Sequence, residues 1–174
     1  TPALYPADEA LRKQALEWER YLGEEYGPHT RRVFFTSLLK NLGYMGDMLT
    51  VGMSTPAASM YRMGLPCTAM IMRFDMKLND AEAARSRKKI DEVLTRLEKE
   101  KGPAGFLVGD QFSIADLTAA ALSSPLMNAS NYSYPLPQPI APEIAQLFAE
   151  YANRDAIKWA QELFEKFHPI KTSP

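Results

Sequence analysis

One stretch constrains this chain more than any other: Gly105–Phe106–Leu107–Val108–Gly109–Asp110–Gln111–Phe112–Ser113–Ile114–Ala115–Asp116–Leu117–Thr118–Ala119–Ala120–Ala121–Leu122. Its middle is a helix start. Ser113 is a preferred N-cap residue, and Asp116, three positions on, can reach back to the backbone N–H of the cap. Phe112 and Leu117 flank the cap at the spacing of a hydrophobic staple, which sets the angle at which the chain enters the helix. Gly109 and Asp110 supply a tight turn before it. The small residues that follow let neighbours approach closely, so the predicted helix lies at the centre of an all-helical core.

The remaining elements follow from periodicity. Residues 1–7 carry two prolines and read as a linker; Asp8 then caps a helix with Leu11, Ala15, Trp18, Tyr21 and Leu22 on one face. Gly27–Pro28 breaks or kinks it, and the apolar pattern resumes through Val33, Phe34, Leu38, Leu42, Met45 and Leu49. Residues 50–66 are poorly patterned. A short helix between Pro56 and Met63 and another through Cys67–Lys77 are expected; Ala69–Phe74 alternates in the manner of a strand but is too isolated to make a sheet. The methionines here read as filler of an irregular interior.

Asn79 and Glu82 form a second capping box opening a helix to Lys101, with Ile90, Val93, Leu94 and Leu97 inward. Its basic run Arg85–Lys89 is interleaved with acids and reads as a solvated face. The central helix is expected to stop near Pro125. Residues 126–142, with four prolines from Pro135 to Pro142, form a strap across the bundle. Helices from Pro142 and from a cap at Asp155 close the domain at 169, and 170–174 form a frayed tail.

Composition excludes several functions. Twenty basic residues against twenty-one acidic ones give no general hold on nucleic acid or on an anionic membrane. No apolar run is long enough to span a bilayer. Asn128–Ala129–Ser130 and Asn131–Tyr132–Ser133 match a glycosylation acceptor but carry no weight without a secretion signal. His29 and His168 lack ligand-spaced partners, so no metal site is expected. Cys67 reads as a buried thiol, or as a residue at a helix N-terminus that would lower its pKa. No nucleophile elbow and no phosphate-binding or dinucleotide-binding glycine motif occurs.

The string Phe106–Leu107–Val108–Gly109–Asp110–x–Phe112–Ser113–x–Ala115–Asp116–Leu117 resembles the segment that opens the central helix of the C-terminal domain of glutathione transferases, especially bacterial members. The resemblance extends over about residues 8 to 168. It takes in the Arg-bearing helix after Gly27–Pro28–His29–Thr30–Arg31–Arg32, the charged helix, the Tyr–Pro–Leu–Pro strap and the Trp-bearing last helix. The long Met-rich span before the charged helix departs from the family pattern.

The resemblance implies an all-α helical bundle of the glutathione transferase C-terminal type. It implies the helical half of a cytoplasmic detoxifying transferase, supplying the pocket for a small hydrophobic electrophile. Glutathione would be the co-substrate of the parent protein, held by a thioredoxin-like N-terminal domain that is the expected partner. The start at Thr1, without Met, is taken as a start inside a longer polypeptide. No cofactor is expected in this chain, and homodimer formation is left open.

By position in the family, residues flanking Pro28 would line the pocket. Tyr26, His29, Arg32 and Phe35 are the candidates, Arg32 to hold an anionic group and Tyr26 and Phe35 as apolar walls. Core packing for Phe35 and a surface ion pair for Arg32 are the structural alternatives. A non-catalytic interaction scaffold of the same fold is the alternative function, and a stand-alone helical binding protein a third.

Overall fold

The computed structural model describes residues 4–129 and 136–167. Among them lie eight α-helices and no strand: α1 Glu9–Glu25, α2 Gly27–Leu38, α3 Leu42–Leu49, α4 Thr55–Asp75, α5 Asp80–Glu100, α6 Ile114–Ser123, α7 Pro142–Tyr151 and α8 Asp155–Phe167. A single 3₁₀ turn, Ser124–Leu126, follows α6. The end of the domain at 169, the tail 170–174, His168 and residues 130–135 of the strap, with them Asn131 and the serines Ser130 and Ser133 of the glycosylation patterns, lie outside the described residues.

Helix α6 is the centre. Ile114, Ala115, Asp116, Ala119, Ala120 and Ser123 are buried against α1, α2 and α8. Alanine at the contact positions allows three neighbours to close on one short helix without voids. The start of α6 is satisfied from several directions. Asp116 Oδ2 accepts from the Ser113 N–H and from the Ser113 hydroxyl, both at 2.9 Å, and Oδ1 accepts from the Leu107 N–H at 2.8 Å. The Ile114 N–H donates to the Leu4 carbonyl at 2.8 Å, so Leu4, within the segment read as a linker, is docked on the core. The carboxyl of Asp116 has no solvent exposure. Burial pushes its pKa up, and the donors from Leu107 and Ser113 counteract that.

The staple partner differs from expectation. Leu117 is 39% exposed, while Phe112 stacks on Phe167 with centroids 3.9 Å apart. The helix turns Leu117 towards solvent, and the end of α8 takes the ring face intended for it.

Helix α1 is capped by Asp8, whose Oδ1 accepts from the Leu11 N–H. It ends at Tyr26, and α2 begins with Pro28 in its first turn, so the pair is broken rather than merely bent. The pattern from Val33 to Leu49 is not one helix. Asn41 interrupts it, its side chain accepting from the Tyr44 N–H to cap α3.

The Met-rich span corrects three expectations together. Residues 55–75 form one helix with Pro66 inside it, neither two short helices nor a strand. Alanine, methionine and leucine are strong helix formers, and they outweigh one proline when Leu65 and Ala69 anchor the helix on the α3 side. Cys67 is exposed in the middle of α4, neither buried nor at a helix N-terminus. Met45 and Met127 fill the core, but Met60, Met63 and Met70 stand in solvent.

Asp155 occupies the first turn of α8 without being its cap. Glu98 of α5 does that work: its Oε1 accepts from the Ala156 N–H at 3.3 Å, while Arg154 donates to both Glu98 oxygens, to Asp91 and to Thr95. This pins the α7–α8 turn to α5. Trp159 is buried, its indole N–H donating to the Gly105 carbonyl at 2.8 Å.

Candidate functional site

A cavity of about 760 Å³ opens beside the break between α1 and α2. One wall is a stripe of α2: Gly27, Thr30, Arg31, Phe34 and Phe35, which fall at i, i+3, i+4, i+7 and i+8 and so share a face. Met48 and Leu49 of α3 continue it. Opposite stand Ala121 and Leu122 at the end of α6, Ser124–Pro125 in the 3₁₀ turn, and Met127–Ala129. Leu136, Gln138 and Phe148 of α7 close the far side. The lining is mostly apolar, with a few polar groups at Thr30, Arg31, Asn128 and Gln138, as expected of a site for an apolar small molecule.

The cavity follows from local sequence. Pro28 starts α2 at a fixed angle to α1, and Gly27 lets the turn press on α6. A Cβ on Gly27 would stand 3.1 Å from Leu122 Cδ2, so a larger residue would push Leu122 into the cavity.

Of the four residues proposed from sequence, Phe35 alone lines this cavity. Tyr26 has no solvent exposure, and its hydroxyl lies 3.0 Å from Ser123 Oγ. Ser123 donates its own proton to the Ala119 carbonyl at 2.7 Å, so Tyr26 is the donor in that pair. Burial pushes the Tyr26 pKa up strongly. It is a structural phenol, not a wall of the cavity.

His29 and Arg32 turn to the opposite face of α2, against α5, where both meet the buried Ser86. Arg32 Nη1 donates to Ser86 Oγ at 3.1 Å and Arg32 Nε to the Met76 carbonyl at 3.1 Å. His29 Nδ1 lies 3.1 Å from the same Oγ. With Arg32 donating to Ser86, the serine proton is available to an unprotonated Nδ1. Burial and the Arg32 charge both lower the His29 pKa, in agreement. Arg32 is therefore neither an anion holder in the cavity nor a surface ion pair; it fastens α2 to α5 and to the end of α4.

The cation that does line the cavity is the exposed Arg31, one residue earlier. One residue shifts a side chain by about 100° around a helix, which separates the two arginines. Arg31, Phe34, Leu122, Met127 and Phe148 were missed from sequence. The α2 members were legible once Gly27 was taken as the first helical residue; those of α6 and α7 come together only through the tertiary fold.

Among the described residues no His, Cys, Asp or Glu side chains gather as a metal site. No helix among them is long and apolar enough to cross a membrane.

Residues 80–122 match the family model described as glutathione S-transferase, C-terminal domain. No curated protein matches the chain, and no solved structure matches it. The matched segment runs from the start of α5 through the Gly105 and Gly109 turns into α6, so it contains the Ser113–Asp116 cap and the buried face around which the other helices pack. The described residues fold as an all-helical bundle centred on that segment, which is similar to the C-terminal domain of glutathione transferases.

Proposed function

We propose that this domain supplies the co-substrate pocket of a glutathione transferase-like protein, and that the pocket is the cavity beside the α1–α2 break. The parent protein would promote attack of a glutathione thiolate on a small hydrophobic electrophile, with the thiol held by a thioredoxin-like domain outside these residues. The observation that carries this reading is the apolar stripe of α2, Phe34 and Phe35 above all, facing the end of α6 across a cavity large enough for an aromatic ligand. A domain of this kind contributes position and desolvation, while thiolate stabilisation belongs to the other part of the active site.

The test is equilibrium binding of a nitroaryl ligand to the chain, with Ala121→Trp as the blocking variant. Ala121 is exposed and lines the cavity, so an indole there fills space without disturbing the core. Saturable binding that Ala121→Trp weakens about tenfold or more, at unchanged helix content, is expected. Binding that ignores this substitution would remove the cavity as the site.

A further inference from the structure

Residues 136–141 give the cavity a wall that belongs to no helix, with Leu136 and Gln138 lining it. Pro137 and Pro139 have no N–H, and no backbone N–H from 136 to 141 donates to another backbone group among the described residues. The segment is anchored at its far end. Ala141 is buried, and its carbonyl accepts from the Ile144 and Ala145 N–H groups at the start of α7. Ahead of it Leu136 and Ile140 are partly buried, and Gln138 Nε2 bonds locally, to the Leu136 carbonyl at 3.3 Å. So few bonds place this wall at the low end of local stability.

One bond reaches it from a distant part of the chain. The Tyr44 hydroxyl donates to the Pro137 carbonyl at 3.1 Å, over 93 positions of sequence. Pro137 stands between the two lining residues, so a hold on its carbonyl is a hold on both. Tyr44 is itself firmly placed. Asn41, the cap of α3, accepts its N–H at 3.0 Å, and its ring is 7% exposed in the core cluster that holds Leu38, Met45 and Ile144. The Ala141 backbone also acts on the phenol, opposing the upward push of burial on its pKa, so one oxygen addresses both ends of residues 137–141. Tyr44 does not line the cavity, but Met48, one turn on along α3, does.

We propose that Tyr44 is a positioning residue for the ligand of this cavity, its hydroxyl latching the strap so that Leu136 and Gln138 stand as a preformed wall. The inference rests on the reading of the cavity as a co-substrate pocket. Tyr44 acts on a ligand through those two side chains and not by contact. A ligand that finds the wall in place binds at its intrinsic affinity. Where part of the population has the strap withdrawn, the apparent affinity falls with the fraction that is competent. One neutral hydrogen bond shifts such an equilibrium about fivefold, and the effect of the latch on affinity lies within that factor.

Tyr44→Phe keeps the ring in the core and removes the hydroxyl alone. The experiment has two arms. The first is NMR relaxation of the Gln138, Ile140 and Ala141 amides without ligand, on the fast and the microsecond-to-millisecond scales. The second is equilibrium binding of nitrobenzene to the chain, to Tyr44→Phe, to the Leu136→Ala, Gln138→Ala double variant and to the triple variant. In Tyr44→Phe the expected result is added motion confined to the strap, at unchanged helix content, with affinity about two- to fivefold weaker. Adding Tyr44→Phe to the double variant should bring no further loss, because the side chains it positions are gone. Unchanged relaxation in Tyr44→Phe overturns the latch. An equal loss of affinity with and without the two lining side chains overturns it too, since Tyr44 would then act elsewhere. A chain that binds no nitrobenzene before any substitution sinks the pocket reading and this role with it, which keeps that failure distinct from the other two.

Discussion

Tyr26 and Ser123, 97 positions apart, meet hydroxyl to hydroxyl at 3.0 Å with both residues buried, and this bond fastens the α1–α2 break to the end of the central helix. Tyr26 donates, because Ser123 has given its proton to the Ala119 carbonyl. The two ends of the bond are therefore not equivalent. Tyr26→Phe removes a donor and leaves Ser123 one good partner, at a cost of about 1 kcal/mol. Ser123→Ala strands a buried phenolic O–H and should cost more, about 1–3 kcal/mol. The double variant should be no less stable than Ser123→Ala alone. Denaturant unfolding of the three variants checks this; equal costs for the two single changes would mean that Tyr26 does not depend on Ser123.

The cap of α6 has a similar asymmetry. Ser113→Ala removes the hydroxyl from Asp116 and should cost about 1 kcal/mol. Asp116→Ala removes the acceptor of two buried backbone N–H groups, those of Leu107 and Ser113, and should cost about 2–4 kcal/mol. Thermal unfolding distinguishes them. A midpoint insensitive to both would show that the core does not rest on this helix start.

The cap, the helices α1, α5, α7 and α8 and the break at Pro28 were legible because each is written in neighbouring residues: Asp8, Asn79, Ser113, Pro28 and Pro142 act over three or four positions. Asn41 was missed because the apolar period continues on either side of it. Helix α4 was misread because Pro66 and Gly64 outweighed the intrinsic preference of its alanines and methionines, and because apolar residues were assumed to be interior. Of the site candidates, Phe35 lines the cavity and Arg32 does not. Both are compatible with the break at Pro28, but which arginine faces the cavity depends on where α5 docks. Ser86, which collects His29 and Arg32, has no local signal at all; it sits in a charged run that is otherwise solvated.

The two arginines of α2 should separate binding from stability. Arg31→Ala should weaken a nitroaryl ligand bearing a carboxylate about three- to tenfold and leave an uncharged analogue unaffected, with no change in unfolding. Arg32→Ala should leave both ligands unaffected and lower stability by about 1–2 kcal/mol, since it deprives the Met76 carbonyl and the buried Ser86 of their donor. Reversed outcomes would return the cavity role to Arg32.

Glu98 sets an acid limit on the fold. Hydrogen bonds from Arg154, helped by the Ala156 N–H, hold its carboxyl below the ordinary glutamate range. A carboxylate whose folded pKa is depressed contributes stability above its unfolded value, and that contribution is lost as pH falls through the folded value. Stability should therefore decline below about pH 4.3. Glu98→Gln should be less stable near neutrality by about 1 kcal/mol, a figure reduced for partial exposure, and should lose less on acidification. Parallel stability–pH curves for the two proteins would remove Glu98 from the acid response.

The last prediction is that this chain by itself neither conjugates glutathione nor binds it tightly. Conjugation needs a group that stabilises the thiolate. Tyr26 cannot serve, because it is buried and its proton is committed to Ser123. Cys67 cannot serve either: it lies on the outer face of α4 and does not line the cavity. Tight binding of the tripeptide also needs donors for two carboxylates and an edge for its backbone. Arg31 is the single cation lining the cavity among the described residues, and these helices pair their backbone groups internally and offer no strand edge. Calorimetric titration with glutathione, and a rate assay with an aryl halide, provide the test. No heat of binding at micromolar glutathione and a rate equal to the uncatalysed one are expected. Micromolar affinity, or turnover well above that rate, would place the thiol site within this chain and require a donor set that the cavity described above does not contain.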